Sequence, residues 1–297
     1  MVRFETVKQY NEYYTHPTLH PLVSLVNVSK AGVQHRTKMY FGLYLIALKQ
    51  FKETESKLKY GINYYDFDEG TLVFFAPGQI IQSEPEGEPY KPMGLALAFH
   101  PDLIKGTSLG KHIQDYSFFS YQSNEALHLS EKEKDVILDC FANVETELQQ
   151  NIDKHSKKLI VSNIELLLNY CTRFYDRQFI TREEANIGII EQFEGLLNDY
   201  VLSEKPKLNG LPSVFYFAHE LHLSANYFGE LIKKQTGKSA QEYIHLKIID
   251  AAKERTLDTS KTIAEISYAL GFKYPQHFTR LFKQKVGVTP NEYRMTN

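Results

Sequence analysis

With 297 residues, 42% of them hydrophobic and 24% charged, the chain has material for one large or two ordinary globular domains with buried cores. The longest apolar run, residues 39–48, is interrupted by Gly42 and too short for a bilayer, and the N-terminus has no charged-then-apolar leader; a membrane partner is not expected and the cytoplasm is. The net charge of −2 conceals an asymmetry: from Lys205 onward 14 Lys and Arg stand against 8 Asp and Glu, net +6, while the residues before it hold 20 against 28, net −8. A basic C-terminal part on an acidic N-terminal part is the distribution expected when one of two domains meets a polyanion.

Residues 1–18 are polar, rich in Tyr and His and without a clear period, and read as a lead-in arm. His16 and His20 flank Pro17, but with no further ligands at metal spacing they are expected to be surface residues. From 22 to about 100 the chain turns to short β-rich runs, 22–28, 39–48, 61–67, 71–75 and 94–99, punctuated by Asp68-Glu69-Gly70 and Ala76-Pro77-Gly78-Gln79. Such runs predict a sandwich or a barrel. No His-x-His occurs, and the strands hold only His35, His100 and scattered acids, so no metal, cofactor or catalytic group is expected. Tyr44, Tyr64, Tyr65, Phe74 and Phe75 are the aromatics that would either line a ligand-holding interior, Tyr44, Tyr64 and Phe74 above all, or simply fill the core.

Pro101 opens a short helix, residues 117–121 form an aromatic loop, and three helices follow. Ser130 with Glu133 makes a capping box before Val136, Ile137, Cys140, Phe141, Val144 and Leu148 at helical spacing; a second helix covers about 156–175 and a third about 187–202. Cys140 and Cys171 sit at apolar helical positions, as buried reduced thiols do. Residues 203–212 hold two prolines, a glycine and charges without apolar period, and read as a linker. The expected division is therefore 1–202, with strands at about 20–100 and helices at about 130–202, then the linker, then 213–297.

The last segment contains one pattern written twice. Residues 226–243 align without gaps with 276–293, fifty positions on, and Phe, Leu, Lys, Gly, Glu and Tyr recur at matching places. Phe228, Leu231 and Ile232 fall on one helical face, as do Phe278, Leu281 and Phe282. Ser224 can cap the first helix and Pro275 suits the first turn of the second, while Gly237 and Gly287 stand where a left-handed residue stops each. Ser239 with Glu242 and Thr289 with Glu292 spell capping boxes for the helices that follow. Upstream of each copy lies a shorter helix, about 214–221 and 263–270, the second opened by Thr262 with Glu265. Short helix, tight turn and second helix with a polar outer face is the helix-turn-helix layout, here used twice about one long helix at 239–257.

The second copy carries Ile263-Ala264-Glu265-Ile266, Gly271-Phe272, His277-Phe278-Thr279-Arg280-Leu281-Phe282-Lys283, Gly287, Thr289-Pro290 and Tyr293-Arg294. In that order and spacing the segment resembles the C-terminal domain of AraC/XylS-type transcription regulators. The resemblance implies a two-domain α+β chain: an N-terminal cupin-like β-barrel with trailing helices, and an all-α domain of two helix-turn-helix units joined by a linker helix. Residues 74–79, Phe-Phe-Ala-Pro-Gly-Gln, are similar to the barrel of such proteins. It further implies double-stranded DNA as partner, a small effector in the barrel, a homodimer through the helices after the barrel, and RNA polymerase as partner if the chain activates. An effector-independent regulator, or a cupin-type enzyme without its metal ligands, are the rival readings.

By the resemblance, Asn226 and Glu230 hold base-reading positions in the first unit, Asn suiting adenine and Glu cytosine N4, with Lys233 on the same outward face. Family members often have Arg where this chain has Glu230, and Gly229 offers no side chain. The second unit presents Gln276, Thr279, Arg280 and Lys283. Gln276 suits adenine, Arg280 suits guanine or braces the linker helix, and Lys283 suits phosphate. A rigid linker would set the two recognition helices in successive major-groove segments, roughly 34 Å apart. Where duplex and protein spacing differ, the DNA must bend, at a cost of order 1–6 kcal/mol.

Overall fold

The computed structural model describes residues 1–49, 59–60, 63–64, 70–82, 87–121, 125–181 and 183–296. The chain divides into two compact units, Met1–Thr181 and Arg182–Asn297.

The first unit opens with strand β1 (Val2–Phe4) and helix α1 (Val7–Tyr13), not a loose arm. β1 pairs in parallel with β4 (Lys38–Phe41), and Thr6 and Gln9 close a reciprocal capping box at the start of α1. Phe4, Val7 and Tyr10 are buried, and so is His20, whose ring nitrogen accepts from the Leu22 N–H. Then come β2 (Val23–Asn27), β3 (Gln34–His35), β4, β5 (Tyr44–Lys49), β6 (Lys59–Tyr60), β7 (Asn63–Tyr64), β8 (Thr71–Phe75), β9 (Gln79–Gln82), β10 (Pro89–Tyr90) and β11 (Gly94–Phe99). Helices α2 (Pro101–Ile104) and α3 (Ser108–His112), β12 (Leu127–His128), α4 (Glu131–Gln149) and α5 (Ser156–Thr181) complete the unit.

Among the described residues these strands do not close into a barrel. They form an open five-stranded sheet, β12-β8-β5-β11-β2, a three-stranded sheet, β1-β4-β9, and the short pairs β10-β3 and β6-β7. The reason lies at two corners where the chain changes sheet. The run read as one strand over 39–48 breaks at Gly42: its N–H donates to the Phe4 carbonyl at 2.8 Å, and a side chain there would meet that oxygen and the Glu5 backbone at 3.2 Å. The Ala76-Pro77-Gly78 turn makes the second corner, with the Gly78 N–H on the Phe41 carbonyl at 2.7 Å. Each corner sends half of a hairpin to the opposite layer.

Between the layers, Val26, Leu45, Val73, Phe75, Ala96 and Ala98 of the large sheet share a core with Phe4, Met39 and Phe41 of the small one. The alternate residues, among them Ile46, Leu72, Phe74, Leu97 and Phe99, are buried on the opposite face, as the two-residue strand period requires. There they meet the 117–120 turn and α5: the Phe74 ring lies 4.5 Å from Phe118 and 6.1 Å from Tyr175. Arg177 of α5 donates to both carboxylate oxygens of Glu133, at 3.0 and 2.6 Å, and to the His128 carbonyl at 2.7 Å, which fastens α5 to the capped start of α4. Cys140 and Cys171 are free, buried thiols, and burial pushes both pKa values up.

The second unit is all helical: α6 (Glu183–Leu202), α7 (Lys205–Asn209), α8 (Val214–Glu220), α9 (Ala225–Thr236), α10 (Ala240–Thr256), α11 (Ile263–Ala269), α12 (Pro275–Val286) and α13 (Pro290–Thr296). Two expectations change. The third helix packs with this unit, because Phe193 on its inner face lies 5.1 Å from Phe217, 5.0 Å from Phe228 and 5.6 Å from Tyr243. Residues 203–212, read as a linker, include α7, whose Pro206 is buried, and the Gly210 carbonyl accepts from the Tyr200 hydroxyl at 3.0 Å.

Candidate nucleic-acid interface

Each recognition helix is set by its ends. Ser224 accepts from the Tyr227 N–H and Gly237, with φ +71°, terminates α9; Pro275 occupies the first turn of α12 and Gly287, with φ +94°, ends it. One face of each is buried, through Tyr227, Phe228, Leu231 and Ile232 in α9 and Phe278 and Phe282 in α12. The 3.6-residue period then fixes what is left outside. On α12, Gln276, Arg280 and Lys283 are exposed and Thr279 is half-buried among them, at spacings of three and four. On α9, Asn226 and Lys233 are exposed and Glu230 is half-buried on the same face. All seven residues expected to meet DNA are thus brought to the outer faces of the two helices.

The Arg280 guanidinium makes no hydrogen bond or ion pair with a described residue. Bracing falls to two other arginines. Arg294 donates to the carbonyls of Thr256 (2.7 Å), Asp258 (3.2 Å) and Lys261 (3.0 Å), satisfying the C-terminal end of α10. Arg255 reaches the Val201 carbonyl at 2.6 Å and that of Ala269 at 3.4 Å, holding the ends of α6 and α11. Arg294 stands in the Tyr293-Arg294 signature, whereas nothing in the residue spacing marks Arg255.

At the other end of α10 the capping box is only half made. Ser239 accepts from the Glu242 N–H at 3.2 Å, but the Glu242 carboxylate turns to Lys285 in the last turn of α12, 3.0 Å away. Thr289 and Glu292 close theirs in both directions, at 2.7 and 3.3 Å. Tyr243 donates to the Glu194 carboxylate, and burial with that carboxylate pushes the phenol up to about 12. Between α10 and α12 runs an open groove of about 710 Å³, walled by Gln241, His245, His277, Arg280, Gln284 and Lys285 among others. Burial and the Lys285 charge lower the His245 pKa, which favours a neutral imidazole beside the cations Arg280 and Lys285.

In the first unit, Tyr44 stacks on Phe99 at 5.0 Å and meets Phe119 edge-on at 5.1 Å, so Tyr44 and Phe74 stand together in the aromatic cluster on the helix-covered face of the large sheet. Tyr64 enters only through its backbone in β7, and Tyr65 lies outside the described residues. Among the described residues no three His, Cys, Asp or Glu are grouped as metal ligands, and no helix is long and apolar enough to cross a membrane.

Residues 217–296 match the family model described as a helix-turn-helix domain. The match is to a helix-turn-helix domain, and it falls on the doubled unit whose signature residues carry the resemblance to AraC/XylS-type regulators. The chain is similar to the HTH-type transcriptional regulator YobQ of Bacillus subtilis, 30% identical over 132 residues that make up 40% of this chain and 54% of YobQ; it therefore spans about half the length of that relative. Among solved structures it is similar to the C-terminal domain of the two-component response regulator yesN from Fusobacterium nucleatum, at 25% identity and TM-score 0.31 over 35% of this chain and 95% of that one. A transcriptional regulator from Chromobacterium violaceum with an AraC-type DNA-binding domain matches at 22% identity and TM-score 0.33, over 38% and 94% of the two chains.

Proposed function

We propose that the chain is a sequence-specific transcription regulator of the AraC/XylS type, reading a bipartite DNA site with α9 and α12 and controlled by a small molecule bound in the N-terminal unit. The observation that carries this reading is the pair of outward faces built on one repeated scaffold, with Gln276, Arg280 and Lys283 exposed on one and Asn226 and Lys233 on the other. In this reading Gln276 and Arg280 contact base edges, Thr279 and Lys283 position the phosphates, and Asn226, Glu230 and Lys233 form the weaker reading head. Leu159 and Leu166, exposed two helical turns apart on α5, support a homodimer through this helix and α4. RNA polymerase is the partner if the chain activates, and the cytoplasm is its place of action. The N-terminal sheets serve as the cupin-like sensing domain in sandwich form.

Selection of bound duplexes from a random DNA pool by the full chain tests the proposal. A bipartite motif with boxes about one helical turn apart is expected; recovery of no enriched motif, with or without added metabolites, defeats it.

A further inference from the structure

The groove between α10 and α12 lies beside the reading face of α12 rather than behind it. An α-helix turns about 100° per residue, so His277 and Gln284 stand one residue round from Gln276 and Lys283, and Arg280 borders both stripes. His277, Arg280 and Gln284, with the half-buried Lys285, wall the groove on one side; Gln241 and His245, one turn apart on α10, wall it on the other. Lys273, exposed in the turn just before α12, borders the same groove.

Its charges do not cancel. Among the described residues that line it, Glu242 is the one carboxylate, and Lys285 holds it at 3.0 Å, which leaves Lys273 and Arg280 as the net charge. The neutral groups can donate as well. The Gln241 amide nitrogen lies 2.8 Å from His245 Nε2; an amide N–H only donates, so the neutral ring accepts there and carries its own proton on Nδ1. His277 and Gln284 are exposed, and the Gln284 side chain makes no hydrogen bond with a described residue. Two cations set among amides and imidazoles, with the carboxylate already committed, are the complement of a row of anionic oxygens.

A helix with its side chains is about 10–12 Å across and the major groove of a duplex about 12 Å wide, so a helix seated there lays each flank against the phosphates of one strand. With Arg280 toward the base edges, the flank carrying His277 and Gln284 meets one of these backbones, and α10 is the opposite bank. We propose that the backbone of one DNA strand seats in the groove between α12 and α10, so that Gln241 and His245 of the long connecting helix contact phosphate, with Lys273 and His277 beside them. This rests on the DNA-reading role proposed above for α12. It gives α10 a direct part in binding, beyond holding the two copies of the repeat apart, and one that is indifferent to base sequence.

The test uses the full chain and the duplex it selects, with single phosphates replaced in turn by neutral methylphosphonate. One or two neighbouring replacements on one strand, next to the base whose preference Arg280→Ala relaxes, are expected to weaken the parent chain about two- to tenfold. Gln241→Ala combined with His245→Ala is expected to weaken the unmodified duplex by a similar factor whatever its sequence, and to lose nothing further at those phosphates. Lys273→Ala is expected to lower the salt exponent by about 0.9, the release of one counterion. Gln241→Glu, at an exposed position that folding does not depend on, is expected to weaken binding more than Gln241→Ala, by a margin that shrinks as salt rises. Parent-like affinity of the double variant, losses that add to those of every methylphosphonate, or a changed preference at one base in place of uniform weakening would each overturn the proposal and leave the reading by Gln276 and Arg280 standing. So would inorganic phosphate that displaces the duplex from the parent chain but not from the double variant at matched ionic strength, the mark of a free-anion site. A chain that selects no duplex removes the DNA-reading role and this contact with it.

Discussion

His222 and Gly271 hold the same place in the two helix-turn-helix turns, each with positive φ, 56° for the histidine and 89° for the glycine. Only the second turn needs a glycine for space as well as conformation, because a methyl on Gly271 would come within 2.7 Å of the Gly210 carbonyl carbon and 2.8 Å of the Pro206 carbonyl oxygen. A left-handed non-glycine residue costs roughly 1–2 kcal/mol. His222→Gly is therefore expected to stabilise the C-terminal unit by a fraction of a kcal/mol to about 1 kcal/mol, relief of strain being partly offset by chain entropy. Gly271→Ala is expected to destabilise it by about 2 kcal/mol or more. Thermal unfolding of both variants checks the pair; equal effects would contradict it.

The two recognition faces differ most at one aligned position, Arg280 against Glu230. Arg280→Ala is expected to cost about 1–3 kcal/mol at one base position and relax preference there, while Lys283→Ala weakens all duplexes alike and flattens the salt dependence. Glu230→Gln, by removing a carboxylate from the proposed first reading head, is expected to tighten binding overall and to change preference at one base position of the other box. Competition binding against single-position duplex variants at two salt concentrations distinguishes the three.

Acid should weaken the C-terminal unit through its caps. The backbone and side chain of Thr262 hold the Glu265 carboxyl below its usual value, and those of Thr289 do the same for Glu292. A carboxyl depressed on folding stabilises the folded form above its unfolded pKa, here near 4.5, and that stabilisation disappears as pH falls through the lower folded value. The melting temperature is thus expected to drop below about pH 4.5, and Glu265→Gln with Glu292→Gln, which keep an acceptor but do not titrate, to shrink that drop. An unchanged acid limb would show that other carboxylates govern it.

Arg294→Ala is expected to cost about 1.5–3 kcal/mol, since the last carbonyl of α10 and two in the segment that follows it lose a charged donor. Arg294→Lys should recover only part of this, because a single ammonium lacks the planar fork that reaches several oxygens. Urea titration followed by loss of duplex binding provides the measurement.

The C-terminal half was legible because its signals are local. Capping serines and threonines, left-handed glycines and a three-and-four apolar period all act within a few residues, and doubling the pattern checked each against the other. Thr6 and Gln9 spelled the same kind of cap ahead of Val7, Tyr10 and Tyr14, so α1 was equally readable, but a Tyr- and His-rich stretch masked its period. Other features depend on distant partners. Nothing near Gly42 announces that it turns against Phe4, nor does local pattern show that Phe193 finishes the core of the second unit. Glu242 fulfils the capping-box spelling, yet Lys285, 43 positions away, takes its carboxylate.

The diversion of Glu242 to Lys285 has a consequence for what the protein tolerates in its target. This ion pair pins one end of α10 to α12 and Arg294 pins the other to α13, so in the proposed two-box reading the unit would act as a fixed gauge. Adding one base pair between the boxes rotates the second by about 34–36° around the duplex. A gauge with no slack must twist the DNA to follow or release one reading head, so operators should vary in sequence far more readily than in length.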